Sequence, residues 1–319
     1  MGKRNSKIGF TFLNPEEIDK LARSLVKKWE EKTELCHYTS LEGFQGMLDS
    51  ISYKDNEPVV NYWASSIFAM NDPEEMMHGY DCIWKVLPLI EKELNVDYKY
   101  KLSRIWKNVT SEHYDEYYNS MLKENLCKKN KIPFIISLSS KVDKLDLWRT
   151  YASDGCGVCI VFSEGSLKDK DLIPIDVDYT ENITDGNIVF NVMKNLYENQ
   201  KIPFVNDSEK HDSFSKNLSF LTGCVIGLAP YIKKVDYEYE KEYRIISTDS
   251  IDESIKYRIS QRGHVIPYKE IPIPVNTIQK VILGPCSDPI VNKSMLEMEL
   301  STKGLNIPVE ITKTKYRQY

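Results

Sequence analysis

Strands and helices interspersed without a regular βα repeat predict an α+β fold for this chain. Three observations carry the expectation. Continuous apolar runs of strand length stand at 132–138 (IPFIISL) and 157–162 (GVCIVF), bounded by polar or turn residues. Helical periodicity fills the segment near 15–31 and a polar-backed block near 83–130. The 41% hydrophobic content and near balance of 42 Lys+Arg against 47 Asp+Glu are ordinary for a globular protein. We expect one elaborated α+β domain over 1–319, since this length does not by itself require two.

Asn14 caps a first helix, with Pro15 at its first turn, Glu16 and Glu17 at its positive end, and Ile18, Leu21, Leu25, Val26 and Trp29 on one face. Leu21, Leu25 and Trp29 should pack this helix on the core. A short strand at 35–39 leads through Ser40 into a helix carrying Leu41, Phe44, Met47 and Leu48. The stretch 59–68 is rich in β-branched, aromatic and small residues. Asp72 and Glu75 then have capping-box spacing around Pro73, so a helix should begin there. The 83–130 block reads as a helical insert, for substrate recognition or for packing. After the strand at 132–138 comes a short helix with Leu145, Trp148 and Tyr151, then a turn at Asp154-Gly155 and the strand at 157–162. Alternation predicts a strand at 172–179, helices follow near 186–199 and 212–226, and strands at 243–247 and 279–283. Asp288-Pro289 opens a helix to about 303, before a closing strand at 307–312.

The formal charge of −5 gives no global attraction for polyanions, although a local basic groove remains compatible with it. Seven cysteines at irregular spacing suit reduced thiols in a cytoplasm. Cys156 and Cys159 form a C-x-x-C without a second pair at zinc spacing, so no metal is expected. The start of the chain reads as no secretion signal, and no membrane partner is expected. Walker, dinucleotide-fingerprint, nucleophile-elbow and HExxH motifs are absent.

Several groups have both a structural and a functional reading. His37, Tyr38, Thr39 and Ser40 join a strand to a helix start, where side chains and free backbone N–H groups converge on a ligand or simply cap the helix. Asp72 and Glu75 explain a helix entry, whereas Asn71 is not needed for it. Trp148 is by default a core residue, and Arg149 has no packing role. Glu238, Glu240, Glu242 and Arg244 would face one side of a strand, either as a solvated row or with Arg244 holding a functional Glu242 carboxylate.

Taken in order, HYTS at 37–40, FAMNDPEE at 68–75, FIISLS at 134–139, LWRTYASDGCGVCIVF at 147–162, EKEYR at 240–244 and VILGP at 281–285 resemble the bacterial family catalogued as domain of unknown function 2971. That layout in turn resembles the ADP-ribosyltransferase fold, implying a mixed or antiparallel sheet core with helical insertions. The resemblance implies NAD as co-substrate and either ADP-ribosylation of a protein or nucleic-acid acceptor or hydrolysis of NAD, in a toxin or phage-defence setting. His37 would contact the ribose and carboxamide, Glu242 would stabilise the oxocarbenium-like ribose, and Trp148 or Tyr151 would stack on nicotinamide. Tyr38, Thr39, Ser40, Asn71, Arg149 and Arg244 would contact the ligand or gather Glu242. The resemblance leaves the second-strand tyrosine open between Tyr62, Tyr151 and others. A non-catalytic nucleotide- or partner-binding module and a nuclease or nucleotide-processing enzyme are the competing expectations.

Overall fold

The computed structural model describes residues 15–26, 33–70, 72, 74–106, 131–163, 165–167, 172–179, 187–199, 202, 220–250, 254–260, 263–285 and 288–316. In chain order these form α1 (Pro15–Leu25), β1 (Cys36–Thr39), α2 (Leu41–Asp49), β2 (Ser52–Lys54), β3 (Glu57–Ser66), α3 (Glu75–Glu93) and α4 (Ser103–Trp106). Then follow β4 (Lys131–Ser139), α5 (Leu145–Tyr151), β5 (Val158–Phe162), β6 (Ile175–Asp176), α6 (Ile188–Glu198) and α7 (220–228). The last elements are β7 (Glu242–Ser250), β8 (Lys256–Ile259), β9 (Val265–Pro274), β10 (Ile278–Leu283), α8 (Pro289–Thr302) and β11 (Val309–Ile311).

All 11 strands join one open, mostly antiparallel sheet in the order β11-β10-β5-β1-β4-β3-β9-β8, with β7 and β6 on the other side of β4 and β2 on β3. Among the described residues, only the β10–β11 strand pair is parallel. Strand β4 is where the sheet divides. One of its edges pairs along its whole length with β7, from Lys131↔Ser250 to Ser139↔Glu242. The other edge is shared, with β3 pairing at Phe134 and Ile135 and β1 pairing at Ser139. The residues between, 136–138, meet a gap between β1 and β3.

Alternation along the strands gives each face its own core. Ile135 and Ile246 face a cluster built from α1, α3, α6 and α7. Ile136, Ile160 and Ile245 face the opposite cluster, with Phe44, Met47 and Leu48 of α2 and Leu296 and Leu300 of α8. Ser40 caps α2 by accepting from the Gly43 amide at 2.9 Å, and Asp288 caps α8 through the Val291 amide at 3.1 Å. Gly157 allows β1 and β5 to close, because a Cβ there would fall 2.1 Å from the Thr39 carbonyl oxygen.

Four sequence expectations are corrected. In α1 the buried residues are Ile18, Asp19 and Ala22, and Leu21 packs against the core as expected, whereas Leu25 is 38% exposed; Trp29 lies outside the described residues. Helix α3 starts at Glu75 and buries Ile83, Val86, Leu87 and Ile90 in the core, the packing alternative for this part of the 83–130 block; residues 107–130 lie outside the described set. Glu75 does not complete a capping box: Asp72 accepts from the Glu74 amide, while Glu75 turns inward to Arg244. The segment Val235–Glu240 is 3₁₀ helix and Lys241 is left-handed (φ 44°), so the strand begins only at Glu242. Glu238 and Glu240 therefore do not share a strand face with Glu242. Finally, the 172–179 alternation yields only Ile175–Asp176 as strand.

The hairpins β2–β3 and β8–β9 had no counterpart in the sequence reading. Asp55 and Asn56, at φ 52° and 66°, form the tight turn of the first, with the twist two-residue hairpins favour. Strand β9 contains Pro267, Pro272 and Pro274, which argue against a strand by propensity. Pro272 and Pro274 fall where β9 pairs with β3 alone, beyond the four residues that pair with β8.

Candidate functional site

The sheet division brings together residues from five of the six sequence stretches. Register places Ser137 opposite Arg244 and Ser139 opposite Glu242, so these four side chains share the face of Ile246. Arg244, wholly buried, grips Glu242 with two bonds, Nε to Oε1 at 2.9 Å and Nη2 to Oε2 at 3.0 Å. Its remaining donors reach the Glu75 carboxylate and the Pro230 carbonyl. Lys233 Nζ bridges Glu242 Oε2 at 3.0 Å and Glu240 Oε2 at 2.6 Å. Tyr151 donates to the other Glu240 oxygen at 2.5 Å, and Ser139 Oγ donates to the Glu240 carbonyl. Sequence reasoning did not single out Lys233; a lysine beside an acidic row reads as a solvated residue, yet this one is 5% exposed.

The electrostatics follow from burial and pairing. Burial by itself would raise the Glu242 pKa, but Arg244 and Lys233 outweigh it and hold the carboxylate at about 2, with the Ser137 hydroxyl also favouring the anion. Glu75 moves the opposite way, because burial and the neighbouring Glu242 charge exceed what Arg244 returns. With all five groups ionised, three carboxylates against two cations leave the set at −1, in keeping with the raised Glu75 pKa.

His37 approaches from the opposite face. It follows Cys36, which is in register with Ser139, and lies opposite Ile160 on the face of the second core. Its Nδ1–H donates to the Ser137 carbonyl at 2.8 Å, closing the gap between β1 and β3. Burial lowers its pKa, with the Arg258 charge acting the same way, so the ring is neutral near pH 7. Tyr62 of β3 meets it edge-on at 5.6 Å between centroids. Ser137 is thus the shared element: its carbonyl takes His37 and its hydroxyl serves Glu242.

The other sequence candidates divide cleanly. Tyr151 is in the network. Trp148 is wholly buried, donates from its ring nitrogen to Asp143 at 2.8 Å and packs edge-on against Tyr38. Tyr38 donates to the Lys141 carbonyl, and Ser40 is spent on its cap. Thr39 borders Gly43 next to that cap. Arg149 stands 60% exposed beside Asp154 at 3.7 Å and is not brought to the network. Asn71 lies outside the described residues. Cys156 and Cys159 are free thiols, and no group of three or more His, Cys, Asp or Glu among the described residues could hold a metal ion.

The bond from Tyr151 to Glu240 ties the LWRTY stretch to EKEYR, the two ends of one contiguous block. Residues 147–245 match the model of a family described as protein of unknown function, DUF2971. The DUF2971 stretch supplies Tyr151, Lys233, Glu240, Glu242 and Arg244, whereas His37, Tyr62, Glu75 and Ser137 come from outside it. No curated protein and no solved structure matches the chain. No helix among the described residues is long and apolar enough to cross a membrane.

Proposed function

We propose that the chain binds NAD or a related nucleotide at the gap between β1 and β3. The observation that supports this most directly is Ser137, where a first-strand histidine and a later-strand glutamate adjoin through one residue. Tyr62, beside His37 on β3, is better placed than Tyr151 for the second-strand tyrosine of an ADP-ribosyltransferase-like arrangement. His37 and Glu242 lie on opposite faces, so a ligand engaging both must lie in the gap itself, taking over the Ser137 carbonyl from His37.

A second reading, cleavage of the nicotinamide–ribose bond, is favoured by the ionised state of Glu242. A fixed carboxylate stabilises the positive charge that develops on the ribose. Release of Glu242 by Lys233, with Glu240 kept, would open one acceptor position on Oε2, which Arg244 Nη2 still holds. The acceptor would be water, a protein or a nucleic acid, and a cytoplasmic defence or toxin role fits this chemistry. Against cleavage, every oxygen of Glu242 is already engaged and the residue is 2% exposed.

Titration calorimetry with NAD, beside an assay of nicotinamide release with and without cell lysate, separates the two readings. Binding that weakens in His37→Ala without release supports the binding module. Release that collapses in folded Glu242→Gln supports cleavage. Neither binding nor release sinks the nucleotide reading and turns attention to nucleic-acid and protein partners.

A further inference from the structure

Among the described residues, Arg258 of β8 is a cation without a counter-ion. Its Nη2 donates to Ser65 Oγ at 3.1 Å, while its buried Nε has no acceptor. The lysines around it are all answered, Lys256 by Glu270 at 2.8 Å and Lys269 by Asp249. Arg258 has no carboxylate among the described residues. A hydroxyl does not neutralise a guanidinium, and a charge drawn partly out of water without an opposite charge is costly.

The surroundings are complementary to an anion attached to a flat ring. Register sets Tyr268 opposite both Ser65 and Lys256, and Arg258 opposite Ile266. Trp63, Ser65, Tyr268 and Arg258 therefore share one face of β3, β9 and β8. The Trp63 and Tyr268 rings are 5.1 Å apart, and the buried Trp63 Nε1 is a second donor without an acceptor. Arg258, Ser65 and Trp63 are each only half-buried as residues, although Arg258 Nε and Trp63 Nε1 are themselves buried, so an anion reaches these two donors only by displacing the atoms that cover them. Guanidinium, hydroxyl and indole N–H are all able to donate to phosphate oxygens, and the guanidinium does so with fixed fork geometry.

We propose that Arg258, Ser65 and Trp63 form an anion site that takes a phosphate group of the nucleotide, with the Tyr268 face beside it. This site rests on the nucleotide reading for its biological ligand, but its chemistry is tested separately.

The test is calorimetric titration of the full chain with inorganic pyrophosphate, ADP-ribose and NAD, in wild type, Arg258→Gln, Arg258→Lys and Ser65→Ala, with thermal unfolding of each. Pyrophosphate should bind wild type and raise its melting temperature. Arg258→Gln should weaken binding at least tenfold while melting no lower than wild type without ligand, and Arg258→Lys should recover part of the loss. If Arg258→Gln fails to fold, a loss of affinity in Ser65→Ala carries the same expectation. Wild type that binds none of the three probes, or binds them as tightly after these substitutions, overturns the site. Arg258-dependent pyrophosphate binding with no affinity for NAD would keep the anion site and sink the NAD reading. NAD binding indifferent to Arg258 would do the reverse.

Discussion

The two sides of the gap between β1 and β3 treat polar groups in opposite ways. On the Glu242 face, the Arg244 and Lys233 charges meet three buried carboxylates, and Tyr151 and Ser139 bond to Glu240. Beyond the gap, Tyr62 Oη, Trp63 Nε1 and Arg258 Nε are buried donors with no acceptor. In the Glu242 network Glu75 Oε2 also lacks a partner, but charges that neutralise one another resist rearrangement, whereas unanswered donors leave free energy for a ligand to recover. The comparison therefore places framework on one side and binding capacity on the other.

Removing a cation from the ion-paired side should have the largest effect. Arg244→Met leaves Glu242 and Glu75 buried without their shared cation, a loss of about 3–5 kcal/mol. Urea unfolding should show a midpoint far below wild type, and an unchanged midpoint would break the contrast with Arg258.

The second effect is on pH dependence. Glu242 titrates at about 2 in the folded chain against its ordinary 4.5, so it contributes stability above pH 4.5 that disappears as pH falls toward 2. A shift of that size corresponds to about 3 kcal/mol. Glu75 runs the other way: its raised pKa makes its contribution unfavourable as pH rises from 4.5 through its folded value. Unfolding measured from pH 3 to 8 should show Glu242→Gln losing most of the acid-side slope. Glu75→Gln, which mimics the protonated acid, should flatten the decline on the alkaline side.

Tyr151→Phe comes third, since it removes a hydrogen bond to a buried carboxylate worth roughly 1.5–3 kcal/mol. The unfolding midpoint measures this, and a neutral result would show that Glu240 is held by Lys233 alone.

The smallest change is expected at His37, where His37→Gln preserves a donor for the Ser137 carbonyl and should cost less than about 1 kcal/mol. NMR of the His37 ring should find it neutral at pH 7, consistent with its lowered pKa. A protonated ring there would contradict the uncompensated Arg258 charge nearby.

Much of the framework was legible because local chemistry dictates it. Ser40 and Asp288 announce their helices, and 132–138 can hardly be other than a buried strand. What escaped depends on distant partners. Nothing local marks Lys233 as buried, because its counter-ions arrive from a turn and a strand further on. The alternation at 237–244 imitated a strand until Lys241, in a left-handed conformation, broke it. The prolines of β9 hid a strand whose identity depends on β3, some 200 residues earlier in the chain. At the site, Glu242 and Arg244 were legible as a pair two residues apart. The orphaned Arg258 was not, since being unpaired is a property of the whole fold.

The double use of β4 also sets a schedule for synthesis. Its long edge pairs Lys131–Ser139 with Glu242–Ser250, so the strand at the middle of the sheet stays half-open until more than a hundred further residues have been made. At ribosomal speeds of about 5–20 residues per second that wait is roughly 5–20 s. Throughout it, the apolar run at 132–138 is exposed with one edge unpaired. Nascent chains of this protein should accordingly depend on chaperones that shield strand edges, and substitutions which slow completion of the C-terminal third should lower soluble yield more than they lower stability.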